Sequence, residues 1–255
     1  MIEHALAHYT PEHWPQRLMA EVHRPADART APGVLVVHGG SWSGRTPADM
    51  TRIARYLARR GFVAVNVGYR RAPAHLFPAA LRDLRQALAW MATHADRLGM
   101  DPERIGAFGY SAGAHLASLL ALVDAGTGEH PRLRAVVAGG IPADLTRWPQ
   151  SPVVKRFLGV SYRSDPQLWV EASPLAHVSA ASPPFFLYHG GLDRLVEPDQ
   201  SRRLHARLTA AGVRCELHEV QMHGHLSMFV LNRSARRRGA DFLADVLQPP
   251  VPPQP

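Results

Sequence analysis

The sequence predicts an α/β protein built on a mostly parallel sheet. Short, continuously apolar runs alternate with longer amphipathic runs along the chain. Strands that read as unbroken apolar stretches, such as VLVV, AVVA and FFLY, are typical of a sheet that is covered on both faces. No internal repeat and no linker divides this alternation. We therefore predict a single domain over residues 1–247, followed by a proline-rich, disordered tail at 248–255.

The alternation predicts seven strands and five helices. The predicted strands are 17–23, 33–38, 62–67, 104–108, 133–139, 184–188 and 213–220. The predicted helices between them are 47–60, 78–98, 111–123, 198–211 and 233–247. Pro47, Pro78 and Pro198 lie near helix starts, where a missing N–H costs least. Gly61 and Gly212 directly follow helices, which is the usual place for a left-handed cap.

One connection is too long for this pattern. Between the strands ending at 139 and beginning at 184, periodicity is weak and prolines are frequent. Connections of this length usually serve as lids or binding loops. We predict that residues 140–183 form a lid or pocket insertion, whose large apolar side chains include Trp148, Phe157 and Trp169. The alternative is a packing excursion with short helices of its own.

Composition narrows the functional classes. The chain has 255 residues, of which 46% are hydrophobic and 20% charged, a balance that excludes a disordered or fibrous chain. The net charge is +8, but the arginines are scattered and form only one triplet, 236–238, so we expect no nucleic-acid partner. The single cysteine, Cys215, excludes an intramolecular disulfide and a cysteine-rich metal site.

The chain shows no targeting or membrane segment. Glu3, His4 and His8 interrupt the start, where a signal peptide would carry an apolar run. No apolar run approaches the length of a membrane span. We expect a soluble, cytoplasmic protein that has no membrane partner.

The strongest chemical signal is the pentapeptide GYSAG at 109–113, centred on Ser111. It follows the apolar run RIGAF and precedes the helical run AHLASLLALV. Between a strand and a helix, G-x-S-x-G predicts a nucleophile elbow, a strained turn that projects the serine hydroxyl away from the sheet. Ser111 also lies at the N-terminus of the predicted helix, which favours a developing oxyanion. A glycine-rich turn with a surface serine is the alternative.

A second signal, HGGSW at 38–42, directly follows the apolar run GVLVV. Small residues there allow backbone N–H groups to approach a substrate oxygen closely, as an oxyanion hole requires. A plain glycine turn or a phosphate-binding loop would also account for the pattern. The phosphate loop is disfavoured because G-x-x-x-x-G-K-[ST] is absent and no lysine lies nearby.

Two carboxylates could accompany such a serine. The acid should lie in a loop at the C-terminal end of a later strand, where a parallel sheet presents its functional edge. Asp193 fits, because it follows the run FFLYHG by three residues. Asp144 follows the preceding strand and occupies another such loop, although an Asp beside Pro is also common in turns and helix caps.

The base should be a histidine after the last strand. The segment LHEVQMHGHLSMF contains His218, His223 and His225, of which His218 lies within the strand pattern. His223 and His225 could instead form a metal pair, but no third ligand accompanies them at a convincing spacing. We therefore expect no metal site.

The motifs together resemble one family. The segments HGGSW, YRRAPAHLFPAALRDLRQALAWM, DPERIGAFGYSAGAHLASLLAL, HGGLDRLVEPDQSRRL and HGHLSMF resemble α/β-hydrolase esterases of the hormone-sensitive-lipase type. The nearest resemblance is to the small feruloyl-esterase-like and arylformamidase-like branch, and it covers about residues 17–247. It implies a mostly parallel, eight-stranded sheet with helices on both faces. Two departures are HGGS in place of HGGG and the short N-terminal segment, which predicts no large N-terminal cap.

The resemblance also assigns roles. It implies a triad of Ser111, Asp193 and His225 and an oxyanion hole formed by the amides of Gly40, Ser41 and Ala112. Side chains expected to line the pocket are Trp42, Tyr110, Phe77 and Trp148. This chemistry needs no metal or organic cofactor.

The predicted function is hydrolysis of small carboxylic esters through an acyl-enzyme. One alternative keeps the machinery and cleaves an N-formyl aryl amide, as an arylformamidase does. Another is a catalytically silent scaffold that binds ligands, although silent relatives typically lose a triad residue and every required residue type is present here. The expected partner is a small-molecule ester or amide, and the sequence leaves open whether the protein is a monomer or a homodimer.

Overall fold

Eight strands form one sheet in a computed structural model that describes residues 1–125 and 131–247. The strands are β1 (Ile2–His8), β2 (Met19–Pro25), β3 (Ala31–Val37), β4 (Val63–Val67), β5 (Met100–Tyr110), β6 (Val136–Gly139), β7 (Phe185–Gly190) and β8 (Cys215–Val220). Their order across the sheet is β1-β2-β4-β3-β5-β6-β7-β8. Strand β2 runs antiparallel to both of its neighbours, and all pairings from β4 to β8 are parallel. The mostly parallel eight-stranded α/β fold is thereby confirmed.

The apolar pattern missed β1. This strand, IEHALAH, is largely exposed and lies at the edge of the sheet, where it pairs only with β2. Its side chains bury little surface, so its sequence lacks the continuous apolar run that identifies the central strands.

Helices cover both faces of the sheet. They are α1 (Thr51–Arg59), α2 (Ala79–Thr93), α3 (Ala95–Leu98), α4 (Ala112–Val123), α5 (Pro152–Leu158), α6 (Pro166–Glu171), α7 (Asp199–Ala210), α8 (His225–Leu231) and α9 (Arg233–Leu247). The helix expected at 78–98 is divided into α2 and α3, and Gly99 ends the second part with a φ of 73°. The pattern did not predict α8, which directly follows a glycine after β8.

The two cores explain the continuous apolar run in β3. Leu35 and Val37 belong to a core that α2 and α4 cover, whereas Val34 and Val36 belong to a second core that α1 and α9 cover. Successive side chains of a strand point to opposite faces. A strand buried on both faces therefore has no polar position, as the motif VLVV shows.

The sheet brings six loops to one edge. The loops after β3, β4, β5, β6, β7 and β8 all leave the C-terminal ends of parallel strands, where α/β proteins place their sites. The loop after β6 is the long one: residues 140–183 contain α5, α6 and two 3-10 turns. In the two described ranges, no helix is long and apolar enough to cross a membrane. The tail at 248–255 lies outside the described residues.

Candidate active site

Ser111 lies in a strained turn between β5 and α4. Its backbone has a φ of 54° and a ψ of −123°, a conformation that residues other than glycine rarely adopt. Its N–H donates to the carbonyl oxygen of Gly139 at 2.8 Å, which fixes the turn against β6. A Cβ on Gly113 would overlap the carbonyl of Val37, and one on Gly109 would lie 2.5 Å from the carbonyl oxygen of Gly113. The motif therefore has the close-packed elbow geometry that G-x-S-x-G predicts.

The loop after β3 lies directly against this turn. A Cβ on Gly39 would lie 2.8 Å from the carbonyl oxygen of Tyr110. Gly40 and Ser41 both have positive φ, at 108° and 52°. Within the described parts of the chain, the N–H groups of Gly40, Ser41 and Ala112 donate to no acceptor. Three unpaired N–H groups near Ser111 are hydrogen-bond donors available to a negatively charged oxygen.

His38, at the start of that loop, packs against Tyr69. The hydroxyl of Tyr69 donates to the carbonyl oxygen of His38 at 2.9 Å, and the two rings stack with their centroids 4.3 Å apart. Burial lowers the pKa of His38 to about 4, so the ring is neutral near pH 7. The histidine of the HGGS motif is therefore a packing element of the loop.

Asp193 lies in the loop after β7 and contacts His225. One carboxylate oxygen of Asp193, Oδ2, lies 2.6 Å from Nδ1 of His225. The other, Oδ1, accepts from the N–H groups of Leu195 and Val196 at 3.0 and 2.9 Å. Burial raises the pKa of Asp193, but hydrogen bonds from His189, His225 and the Val196 N–H outweigh it and hold that pKa well below its ordinary value. The carboxylate is therefore ionised at neutral pH.

Asp144 lies in a different environment. Its Oδ1 accepts from the N–H and the hydroxyl of Thr146, as a helix cap does. Its Oδ2 forms an ion pair with Nη1 of Arg203 at 2.7 Å. Of the two carboxylates that sequence reasoning considered, the fold brings only Asp193 to a histidine of the last loop.

His225 is the first residue of α8. A carboxylate can only accept, so the proton of the short bond lies on Nδ1 and leaves Nε2 available as the basic nitrogen. His225 and Ser111 line the same cavity of about 200 Å³. The Nδ1 of His223, two residues earlier, is buried without a hydrogen-bond partner among the described residues. Nor do the described residues contain a group of three or more His, Cys, Asp or Glu side chains placed to hold a metal ion.

A second, larger cavity of about 400 Å³ also reaches Ser111. Its walls come from the loop after β3, the turn at Ser111, the loop after β7 and the 140–183 segment. The side chains that line it include Trp42, Pro142, Trp148, Val153, Val154, Leu195 and Val196. Residues of the 140–183 segment are therefore among those that line a cavity beside Ser111.

The expected pocket residues divide between these two cavities. Trp42 and Trp148 line the larger cavity, and Tyr110 lines the smaller one. Phe77 is not among the described residues that line either cavity; it packs edge-on against Phe157, with ring centroids 5.6 Å apart.

Sequence reasoning also missed lining residues, namely Leu195, Val196, Leu226 and Phe229. Leu195 and Leu226 each lie within two residues of a triad candidate, and both are exposed apolar side chains. That proximity is the signal by which they could have been found.

Comparisons with known proteins agree with the fold. The family model BD-FAE matches residues 21–208. A probable carboxylic ester hydrolase of Mycobacterium tuberculosis, LipM, is 34% identical over 188 residues, which cover 68% of this chain and 44% of LipM. Esterase LipQ of the same organism is 31% identical over 237 residues, which cover 86% of this chain and 56% of LipQ. The chain thus spans about half the length of these curated relatives.

A solved structure matches nearly the whole chain. The butyrate-bound esterase Est2 of Thermogutta terrifontis has a TM-score of 0.81 at 25% identity, and the match covers 96% of each chain. Because the family model matches well over half of the sequence and the architecture agrees along its length, the protein belongs to the BD-FAE family, in the hormone-sensitive-lipase-like branch of the α/β-hydrolase esterases.

Proposed function

We propose that the protein is a serine carboxylesterase that hydrolyses small carboxylic esters through an acyl-enzyme. The observation that carries the proposal is the 2.6 Å bond between His225 and Asp193 on a cavity that also contains the strained Ser111. The esterase names of the curated relatives and of the solved neighbour support the same reaction.

The reaction follows from the positions of these groups. Nε2 of His225 takes the proton of the Ser111 hydroxyl as its oxygen attacks the ester carbonyl carbon. The carbonyl oxygen becomes an oxyanion, which the amides of Gly40, Ser41 and Ala112 stabilise. Asp193 holds the imidazole in one tautomer and stabilises its charged form. The proton then passes from His225 to the departing alcohol, and water resolves the acyl-enzyme with His225 again acting as base.

The two cavities offer space for the acyl and alcohol groups of an ester. Both are lined by Ser111, and the smaller one is also lined by His225 and apolar residues from α8. Space of about 200 to 400 Å³ suits short acyl and small alcohol groups better than long lipid chains. The butyrate in the solved neighbour is consistent with an acyl group of that size. We expect greatest efficiency with acyl chains of roughly two to six carbons.

The remaining parts of the proposal concern partners and location. The partner is a small-molecule ester, with no nucleic acid and no membrane partner, and the location is cytoplasmic. These statements rest on composition: scattered arginines, one cysteine and no apolar run of membrane length.

One substrate panel tests the reaction. Aryl esters with acyl chains of increasing length are assayed beside an N-formyl aryl amide, with wild type and Ser111→Ala in parallel. We expect ester turnover that is greatest at short chains and absent from Ser111→Ala. Turnover confined to the formyl amide would replace the esterase with an arylformamidase. Full turnover by Ser111→Ala would overturn the serine mechanism altogether.

A further inference from the structure

The carboxylate of Asp193 is shared by two histidines. Besides His225, it contacts His189, whose Nε2 lies 3.2 Å from the same oxygen, Oδ2. His189 lies in β7 and is completely buried. The ring is held on its other side as well, because its Nδ1 lies 2.6 Å from the hydroxyl oxygen of Ser201 in α7. A buried chain of polar groups therefore runs from α7 to the triad carboxylate.

The contacts of His189 define its tautomer. Its Nε2 faces two groups that can only accept, the carbonyl oxygen of Val196 at 2.8 Å and the carboxylate of Asp193. The proton must therefore lie on Nε2, which donates to the Val196 carbonyl oxygen and brings its N–H within 3.2 Å of the Asp193 carboxylate. In the neutral ring, Nδ1 is then an acceptor and receives the hydroxyl proton of Ser201. The hydroxyl of Ser201 thus orients the ring so that the Nε2–H group of His189 faces the loop after β7.

This second serine–histidine–aspartate chain cannot itself catalyse hydrolysis. His189 and Ser201 are both fully buried, and neither lines either of the two cavities beside Ser111. No substrate could reach the hydroxyl of Ser201 without unfolding of α7. Ser201 and His189 can therefore influence the site only through Asp193.

The two oxygens of Asp193 are held in different ways. Oδ1 accepts from two backbone N–H groups, those of Leu195 and Val196, and therefore depends only on the loop. Oδ2 meets side chains alone: it accepts from Nδ1 of His225 and lies 3.2 Å from Nε2 of His189. Without His189, the oxygen that orients the catalytic base would have His225 as its single partner. The buried carboxylate would also lose a donor that compensates for its desolvation.

We propose that His189 is a positioning residue that fixes Oδ2 of Asp193 on His225, and that Ser201 fixes the ring of His189 for this purpose. The inference rests on the proposed esterase function of Ser111, Asp193 and His225. It adds two residues to the machinery, and both lie in the segment HGGLDRLVEPDQSRRL, in which the sequence assigned a role to Asp193 alone. In the sequence, the two contacting residues, His189 and Asp193, are separated by four positions.

Three variants test the proposal. His189→Leu removes all three polar contacts of the ring at similar bulk, and His189→Gln keeps an amide donor that can occupy the place of Nε2. Ser201→Ala removes only the hydrogen bond that anchors the ring. Two matched controls stand beside them. His23→Leu replaces another buried histidine, on β2, and Ser118→Ala removes another buried hydroxyl, which has no hydrogen-bond partner among the described residues. For each variant, kcat, KM and Tm are measured on a short-chain aryl ester.

We expect His189→Leu to lower kcat about ten- to hundredfold, the range for losing one hydrogen bond to a charged group, with KM unchanged. His189→Gln should recover most of that loss, and Ser201→Ala should lower kcat by about a few-fold, because the ring keeps its Nε2 contacts but loses its anchor. Both controls should keep wild-type kcat even where Tm falls. This pattern separates positioning from a general loss of stability.

The proposal is overturned if the His189 and Ser201 variants keep wild-type kcat, or if kcat falls no further than the controls do at an equal loss of Tm. If His189→Leu does not fold, Ser201→Ala and His189→Gln decide by the same criteria. Failure of the esterase function itself would look different, because wild type would then show no ester turnover or Ser111→Ala would retain it.

Discussion

The hydroxyl of Tyr110 donates to the main-chain carbonyl oxygen of His225 at 2.5 Å, so the residue before the nucleophile candidate is bonded to the backbone of the base candidate. The two rings also lie close, with centroids 5.1 Å apart. Burial raises the pKa of Tyr110 far above its ordinary range, so the hydroxyl keeps its proton and remains a donor. The start of α8 is thereby tied to the strand that carries Ser111.

Tyr110→Phe removes this tie without a change of shape. We expect kcat to fall by about fivefold, because His225 would be held less tightly over Ser111 while the cavity stays the same. Steady-state kinetics on a short-chain aryl ester gives the result. An unchanged kcat together with an unchanged Tm would mean that the loop positions His225 without the tyrosine.

Ser111→Ala should abolish ester hydrolysis while the fold remains intact. Loss of a triad residue leaves only substrate binding and the oxyanion amides, so activity should fall by about three orders of magnitude or more. A serine-directed organophosphonate, read by mass spectrometry, should label wild type once and leave the variant unlabelled. Labelling at another serine would contradict the assignment.

The two candidate acids are separated by a matched pair of variants. Asp193→Asn should cost about a thousandfold or more in kcat, because the amide cannot hold the imidazole in the productive tautomer. Asp144→Asn should cost little activity, since its carboxylate caps a turn and pairs with Arg203. The reverse order of damage, with both variants folded, would move the acid to the earlier loop.

His225→Ala should abolish turnover, whereas His223→Ala should reduce it only moderately. His225 carries the short bond to Asp193, while Nδ1 of His223 is buried without a partner in the described chain. Chelators should have no effect on wild type. An inactive His223→Ala beside an active His225→Ala would reverse the assignment, and reversible inhibition by a chelator would revive the metal pair.

Stability should depend on pH through Asp193. The pKa of Asp193 is depressed in the folded protein, so its contribution to stability is complete above its unfolded value of about 4 and is lost as the pH falls toward the folded value. Melting curves of wild type and Asp193→Asn across pH 3–8 measure this contribution. The same pH dependence of Tm in both proteins would contradict it.

The sequence predicted the central strands and the serine turn because both depend on local patterns. A strand such as β3 is buried on both faces and therefore apolar throughout, and Ser111 is flanked by glycines that the tight turn requires. Strand β1 could not be predicted in the same way, because it pairs at an exposed edge through its backbone.

The parts of the site that were missed depend on contacts between distant segments. His189 and Ser201 meet because α7 packs beside β7, and no local pattern in either segment indicates it. Leu195 and Leu226 line the same cavity only because the loops after β7 and β8 leave neighbouring strands. Phe77 was expected at the pocket, but its ring packs edge-on against Phe157, which stacks on Trp42.

The positive φ of Ser111 lowers the stability of the folded protein at the position of the proposed nucleophile. A residue with a side chain held in such a conformation costs on the order of 1–3 kcal/mol, and every folded molecule carries that cost whether or not substrate is present. Glycine would adopt the same φ without strain, so its appearance at position 111 would remove the nucleophile and make the fold more resistant to heat in a single step. Ser111 therefore carries a cost in stability that a glycine at the same position would not.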